Sequence, residues 1–191
     1  MFKFSYQKKF FTVLLASGGN PFKIWCPSCM NQDGSITRMM DEDLNCLVLQ
    51  LVNQSISSGY ITAPKMRNDT LGIRLPVFVV QVKSIANGFM FTLEVKTHKN
   101  MKKFLRATTC VSKVEMENNK AIIPLILKPG WNTVVLDLDK VCRVCYKDPY
   151  MTTERITINA NCRIRRCFFS DRIYEDDELP KDYKLSLESC K

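Results

Sequence analysis

The chain has 191 residues, of which 46% are hydrophobic and 25% are charged. This length and composition suit one globular domain with its own core, and no apolar run approaches the ~20 residues of a membrane span, so no membrane partner is expected. The 28 lysines and arginines exceed the 19 acidic residues, which gives a net charge of +9. A balance this basic favours acidic partners.

Short apolar runs separated by turn residues predict strand after strand. In chain order the predicted strands are 10–16, 22–25, 35–39, 46–52, 59–62, 71–85, 88–97, 102–108, 121–127 and 131–138. Asn87-Gly88 predicts a tight hairpin, residues 138–148 predict the main helix, and residues 177–183 predict a helical turn. Many short strands at this spacing are typical of an antiparallel β-sandwich or jelly roll. We predict an all-β single domain over residues 1–191, with a short C-terminal extension from about residue 175.

Four arginines lie in the segment NANCRIRRCFFSDR (159–172). Alternation of apolar and polar residues over 155–165 predicts a strand with one face in the core and one in water. The alternation breaks at Arg165-Arg166, which predicts a one-residue bulge. Arg163, Arg165, Arg166 and Arg172 are therefore candidate docking residues for tubulin or another acidic partner, because guanidinium groups pair bidentately with carboxylates. The alternative is that some of these arginines pair internally with the acidic run 175–178, or keep the sheet soluble.

Nine cysteines at irregular spacing favour reduced thiols over a disulfide framework. CPSC (26–29) and CRVC (142–145) could together supply a four-cysteine zinc site, but they are much farther apart than the pairs of a zinc ribbon. The acidic run 175–178 could bind calcium, although such a run is more often a solvated turn. We expect no metal.

The composition offers little for catalysis. The one histidine, His98, lies in a turn-like segment, and the seven glycines form no phosphate-binding loop. We therefore expect neither an enzyme nor a cofactor. Trp25 and Trp131 are expected to be core aromatics rather than ligand platforms, since each gains much by burial.

The residues also resemble a known family. The block ANCRIRRCFFSDRIYEDDELPKDYKL (160–185), with YITAP (60–64), TLGIRLP (70–76), FTLEV (91–95) and GWN (130–132), resembles the cilia- and flagella-associated protein 20 family over nearly the whole chain. The resemblance implies a jelly roll similar to carbohydrate-binding modules and no enzymatic activity. It further implies a structural role at the inner junction of axonemal doublet microtubules. The implied partners are tubulin of the A- and B-tubules and the parkin co-regulated protein.

Three segments depart from the family pattern, namely CPSCMNQD (26–33), CVSKVEMENNK (110–120) and CRVC. These departures are typical of a divergent paralogue, such as one specialised for the sperm axoneme, in a reducing cytoplasm. Two other classes of function stay open. A carbohydrate- or ligand-binding jelly roll would need an exposed aromatic platform, and a nucleic-acid binder is permitted by the charge but supported by no recognition motif.

Overall fold

The computed structural model describes residues 1–29, 34–86 and 88–185. Its strands are β1 Phe10–Leu15, β2 Cys26–Cys29, β3 Ser35–Asp41, β4 Cys46–Val52, β5 Gly59–Ala63, β6 Val77–Ser84, β7 Met90–Thr97, β8 Lys102–Thr108, β9 Glu115–Glu117, β10 Lys120–Pro124, β11 Trp131–Asp137, β12 Tyr150–Asn159 and β13 Cys162–Ser170. One α-helix, α1 (Leu138–Tyr146), and a 3₁₀ turn at Lys181–Tyr183 complete the described elements.

The strands form two sheets that share one core. Sheet A has the order β11-β6-β13-β4-β3, and β1 also pairs with β13. Sheet B has the order β2-β5-β12-β7-β8-β10-β9. Neighbouring strands are antiparallel apart from β8 and β10, which run parallel. The predicted all-β, mainly antiparallel sandwich is therefore confirmed.

Aromatic and branched side chains from both sheets fill the space between them. Trp25 is fully buried there, and its indole Nε1 donates a hydrogen bond to the carbonyl oxygen of Val13 at 2.7 Å. Phe78 lies 5.4 Å from Phe91 of the opposite sheet, measured between ring centroids. Burying each such ring contributes about 1.5–3 kcal/mol to folding.

Helix α1 lies inside the predicted range 138–148 and confirms it. The Asp137 side chain accepts a hydrogen bond from the backbone N–H of Lys140, which satisfies a donor that the first turn would leave unpaired. The residue that follows the helix, Lys147, caps it in a left-handed conformation with φ 54°. Its N–H then bonds back to the carbonyl of Arg143.

The predicted arginine strand is in fact two strands in different sheets. β12 belongs to sheet B and β13 to sheet A, and the chain crosses between them at Ala160-Asn161. Asn161 has φ 67°, a conformation that asparagine tolerates. The alternation continues across this corner because both sheets bury the side that faces the shared core. The predicted bulge is confirmed, since the register of β13 on β6 shifts between Ile164 and Arg166.

Other predicted elements need correction. The segment 85–89 is no hairpin: it links β6 of sheet A to β7 of sheet B, and Asn87 itself lies outside the described residues. Within the predicted strand 71–85 only Val77–Ser84 is a strand, because Gly72 turns the chain with φ 68°. The predicted strand 22–25 is displaced to Cys26–Cys29, and β9 lies between the predicted strands 102–108 and 121–127, where no strand was expected.

Candidate docking surfaces

Arg163 is held by an ion pair on the outer face of sheet A. Its Nη1 lies 2.8 Å from Oδ2 of Asp41, whose side chain is fully buried, and its Nε donates to Gln50. Trp131 Nε1 donates to the other oxygen, Oδ1 of Asp41, at 2.9 Å. Burial alone would raise the pKa of Asp41, but the hydrogen bonds from Arg163, Trp131 and the backbone N–H of Leu44 hold that pKa below its ordinary value. Arg163 thus neutralises a buried carboxylate.

Arg165 and Arg166 are each only 6% exposed, so the expected outward stripe is not available to solvent. The C-terminal segment, defined here as residues 171–185, packs over them. Nη1 of Arg165 donates to Gln81 Oε1 at 2.7 Å and to the carbonyl of Lys184 at 3.0 Å. The guanidinium of Arg166 lies 4.3 Å from the ring centre of Tyr183, and burial lowers its pKa. As the chain is folded, neither arginine can reach a partner.

Arg172 is exposed but bound within the chain. Its two terminal nitrogens, Nη1 and Nη2, lie 2.9 Å and 2.6 Å from the two carboxylate oxygens of Glu178. This hydrogen-bonded pair lowers the pKa of Glu178 to about 2. The ring of Tyr174 lies 3.9 Å from the guanidinium. The contacts of Arg172 therefore agree with the alternative interpretation, in which this arginine pairs within the chain with the acidic run 175–178.

The outward direction of these arginines was predicted correctly, but their exposure was not. A small apolar cluster of Val77, Val79 and Phe168, with Phe10 and Tyr183 against it, lies outside sheet A beneath the C-terminal segment. Phe168 follows the bulge on the outward side of β13. An aromatic residue at an outward position is the one sequence signal that this face is covered.

Trp131 is not a core residue, contrary to expectation. Its indole is partly exposed on the outer side of edge strand β11, where the N–H is engaged by Asp41. With Asp43, Leu44 and Leu185 it lines an open cavity of about 410 Å³. Trp131 is the first residue of edge strand β11. It faces outward because the opposite side of this strand, with Val134 and Leu136, is the one buried in the core.

The outer face of sheet B differs in character, since hydroxyl and charged groups dominate it. Thr62 of β5, Thr157 of β12 and Thr92 of β7 stand side by side in register and are partly exposed. The Thr62 and Thr157 hydroxyls are 3.2 Å apart. The same row continues into Arg106 of β8.

A groove of about 880 Å³ lies on this face, across β5, β12, β7 and β8 and against the loop 64–70. Its lining includes five basic side chains (Lys65, Arg67, Lys96, Lys102 and Arg155) and three acidic ones (Asp69, Glu94 and Glu154). The guanidinium of Arg155 donates to the backbone carbonyls of Pro64, Met66, Arg67 and Asp69. These bonds fix the loop as one wall of the groove.

Sequence reasoning did not select this groove. The alternation of Thr92, Glu94 and Lys96 along β7 marks one polar face, but it does not show that β5 and β12 lie beside it. Arg155 was assigned to the outward side of a single long strand, whereas it belongs to the sheet opposite Arg163.

The structure describes the thiols of seven cysteines, and none of these is in a disulfide. They are Cys26, Cys46, Cys110, Cys142, Cys145, Cys162 and Cys167. Burial raises the pKa of Cys142 to about 12 and also raises that of Cys162. Within residues 1–29, 34–86 and 88–185, no three His, Cys, Asp or Glu side chains are grouped to hold a metal ion. The side chain of Cys29, in the CPSC pair, and the whole of Cys190 lie outside the described part of the chain.

In the part of the chain that the structure describes, no helix has the length and apolar character needed to cross a membrane.

Comparison with known proteins gives consistent results. Residues 1–187 match the model of the CFA20 domain. Over 187 residues the chain is 38% identical to cilia- and flagella-associated protein 20 of Chlamydomonas reinhardtii, covering 98% of this chain and 97% of that protein. It is 37% identical to the protein of the same name from Paramecium tetraurelia, with the same coverage, and 36% identical to that of Caenorhabditis elegans, covering 98% and 91%.

Solved structures of carbohydrate-binding modules are similar at low identity. A mutant family 29 module matches with a TM-score of 0.43 and 13% identity, covering 86% of this chain and 93% of the module. The family 11 module of Clostridium thermocellum matches with a TM-score of 0.48 and 7% identity, covering 89% and 100%. The match over residues 1–187 and the three relatives at 36–38% identity identify this chain as a member of the CFA20 domain family, a cilia- and flagella-associated group.

Proposed function

We propose that this protein is a non-enzymatic structural component of the axoneme. It binds tubulin at the inner junction of doublet microtubules, beside the parkin co-regulated protein, and helps to join the B-tubule to the A-tubule. The observation that carries this proposal is the match over 98% of the chain to proteins named for cilia and flagella. The proposal places the protein in the cytoskeleton of the axoneme; the divergent segments 26–33 and 110–120 support a specialised axoneme such as that of the sperm flagellum.

The physical properties of the chain support a structural role. A net charge of +9 attracts the protein to an acidic lattice. A sandwich with one continuous core offers rigid faces, which suit a permanent connection between two surfaces. We propose no catalytic activity, because the single histidine, His98, is exposed in the turn between β7 and β8.

The test is the position of a tagged copy in a ciliated cell, together with removal of the protein. We expect signal along the axoneme, co-sedimentation of the purified chain with stabilised microtubules, and B-tubules that detach more easily when the protein is absent. Diffuse signal, combined with no microtubule binding at low salt, would refute the proposal.

A second candidate function is binding of a small carbohydrate. The specific observation in its favour is that Trp131 is partly exposed beside an open cavity of about 410 Å³. Aromatic faces offer the apolar platform that sugar rings need. Loss of glycan-array binding in Trp131→Ala, with binding retained in Trp25→Phe, would support it. An array on which the wild-type chain binds nothing would exclude it.

A further inference from the structure

We propose that the groove on the outer face of sheet B binds an extended acidic peptide segment of a partner protein. The inference deepens the proposed function and rests on it in one respect, namely that the partner is a protein of the axoneme. We assign docking to this groove instead of to Arg165 and Arg166 of β13, because the C-terminal segment covers those two arginines.

The groove carries cations that no carboxylate neutralises. Lys65 and Arg67 are exposed on the loop wall, and Lys96 is partly exposed on β7. Among the described residues none of the three takes part in an ion pair, whereas Lys102 pairs with Glu94 at 2.5 Å. These three side chains are therefore available to a ligand.

The carboxylates of the groove are mostly engaged. Glu94 faces Lys102 and also Arg155, whose Nε is 3.9 Å away. Glu154 is 8% exposed, and its Oε1 accepts a hydrogen bond from the hydroxyl of Thr152 at 2.6 Å. Only Asp69 projects an exposed carboxylate from the wall. The accessible charge of the groove is thus positive, which matches an acidic ligand.

The pairing of β7 with β8 adds to this positive field. Lys96 and Lys102 stand directly opposite each other on adjacent antiparallel strands. Like charges in this arrangement disfavour the sheet. The Lys102 ammonium is already held by Glu94, so Lys96 is the cation of this pair that is left for an anionic ligand.

The dimensions suit an extended peptide. The groove crosses four strands, so it spans three inter-strand spacings, or about 14 Å. An extended chain advances about 3.3 Å per residue, so roughly four residues fill that length. The hydroxyl groups of Thr62 and Thr157 line the groove along the crossing direction and add polar groups to it.

A nucleic acid fits this groove less well. Stacking platforms for bases are aromatic side chains, and Tyr60 is the one aromatic residue in the lining.

The test uses the purified full-length chain and a fluorescein-labelled hexaglutamate peptide, with binding followed by fluorescence anisotropy at about 50 mM and about 300 mM salt. The groove variant reverses three charges, Lys65→Glu, Arg67→Glu and Lys96→Glu. The matched control reverses three exposed lysines outside the groove, Lys113→Glu, Lys128→Glu and Lys140→Glu. Circular dichroism and thermal unfolding check that both variants fold.

We expect the groove variant to bind at least about tenfold more weakly than wild type, the control to stay within about threefold, and higher salt to weaken wild-type binding. Equal losses in the two variants would show a nonspecific charge effect and overturn the proposal, as would no wild-type binding at low salt. A six-nucleotide single-stranded DNA that binds the groove more tightly than the peptide would overturn the partner class.

Expression of the same variants in a ciliated cell separates this inference from the proposed function. If wild type reaches the axoneme and the groove variant is incorporated equally well, the groove is not the docking site and the axonemal role stands. If wild type does not reach the axoneme, the proposed function fails, whatever the peptide assay gives.

Discussion

Basic side chains point outward from both sheets, but those of sheet A are covered whereas those of sheet B border an open groove. On sheet A, Arg165 and Arg166 lie under the C-terminal segment and are almost fully buried. On sheet B, Arg155 and Lys96 border a groove that is open to solvent. The two faces show that an outward position in a strand sets only the side of the sheet, while exposure depends on what else packs there.

The surroundings satisfy the two buried arginines to different degrees. An arginine side chain has a long aliphatic stem that tolerates burial, while its guanidinium needs hydrogen-bond acceptors. Arg165 finds them in Gln81 and in a carbonyl of the C-terminal segment, whereas Arg166 lies on a tyrosine ring and its buried Nε has no hydrogen-bond partner among the described residues. Removal of these neighbours would leave buried charge uncompensated.

Charge reversal at matched positions tests this contrast most strongly. We expect Arg165→Glu to lower the free energy of unfolding by about 3–5 kcal/mol, because it places a carboxylate beside Gln81 Oε1 and the carbonyl of Lys184. Lys96→Glu, the same charge change on the open groove, should cost less than about 1 kcal/mol. Urea unfolding measures both. Similar losses in the two variants would mean that the faces do not differ in burial.

The buried carboxylate of sheet A gives the next largest effect and a pH dependence. Asp41→Asn should lower the free energy of unfolding by about 3 kcal/mol at pH 7, because the Arg163 guanidinium loses its counter-charge. The pKa of Asp41 is lower in the folded chain than its unfolded value of about 3.9, so its stabilisation is present above pH ~4 and disappears as pH falls through the folded pKa. The wild-type and Asp41→Asn unfolding free energies should therefore converge in acid.

The control for Asp41 is Glu94→Gln, which removes a partly exposed carboxylate of the groove. Because exposed ion pairs contribute little to stability, we expect Glu94→Gln to lower the free energy of unfolding by less than about 1 kcal/mol. A wild-type advantage over Asp41→Asn that grows as the pH falls would contradict the sign of the shift.

The contact of the C-terminal segment with sheet A depends on Tyr183. Tyr183→Ala removes a ring that packs 4.8 Å from both Phe10 and Phe168, measured between centroids, and should lower the free energy of unfolding by about 2 kcal/mol. Tyr183→Phe keeps the ring and loses the hydroxyl group, which contacts Thr12, so it should lower the free energy of unfolding by less than about 1 kcal/mol. If Tyr183→Ala unfolds like wild type, the segment does not hold the arginines.

Thiol labelling gives the smallest effect, a difference in rate without a change in stability. Cys110, exposed at the end of β8, should react quickly with Ellman's reagent in the native chain, while Cys162 and Cys167 on β13 should react only on unfolding. Burial raises the pKa of both β13 thiols, which keeps them protonated. The denatured chain should give all nine thiols and no bound zinc. One equivalent of tightly bound zinc would overturn the prediction of reduced, metal-free cysteines.

Local signals were sufficient for much of the fold. The alternation of apolar residues located most strands, helix α1 lies within its predicted range, and the broken alternation at Arg165-Arg166 correctly indicated a bulge. The hairpin predicted from Asn87-Gly88 was wrong because a turn signal cannot specify whether the next strand stays in the same sheet. The corner at Ala160-Asn161 escaped detection for a related reason, since inward and outward positions keep alternating when a chain passes from one sheet to the other.

The sequence by itself determined the all-β class, the basic charge, the outward direction of the β13 arginines and, through its similarity over 98% of the chain, the family. Only the tertiary structure decided which outward residues meet solvent. Side-chain direction follows from the two-residue period of a strand, which is local. Burial of Arg165 follows from contact with Lys184, nineteen residues later, and the groove follows from β5, β12, β7 and β8 lying side by side. Such contacts join segments distant in the chain, so a local signal such as outward Phe168 can indicate that a face is covered but cannot specify which segment covers it.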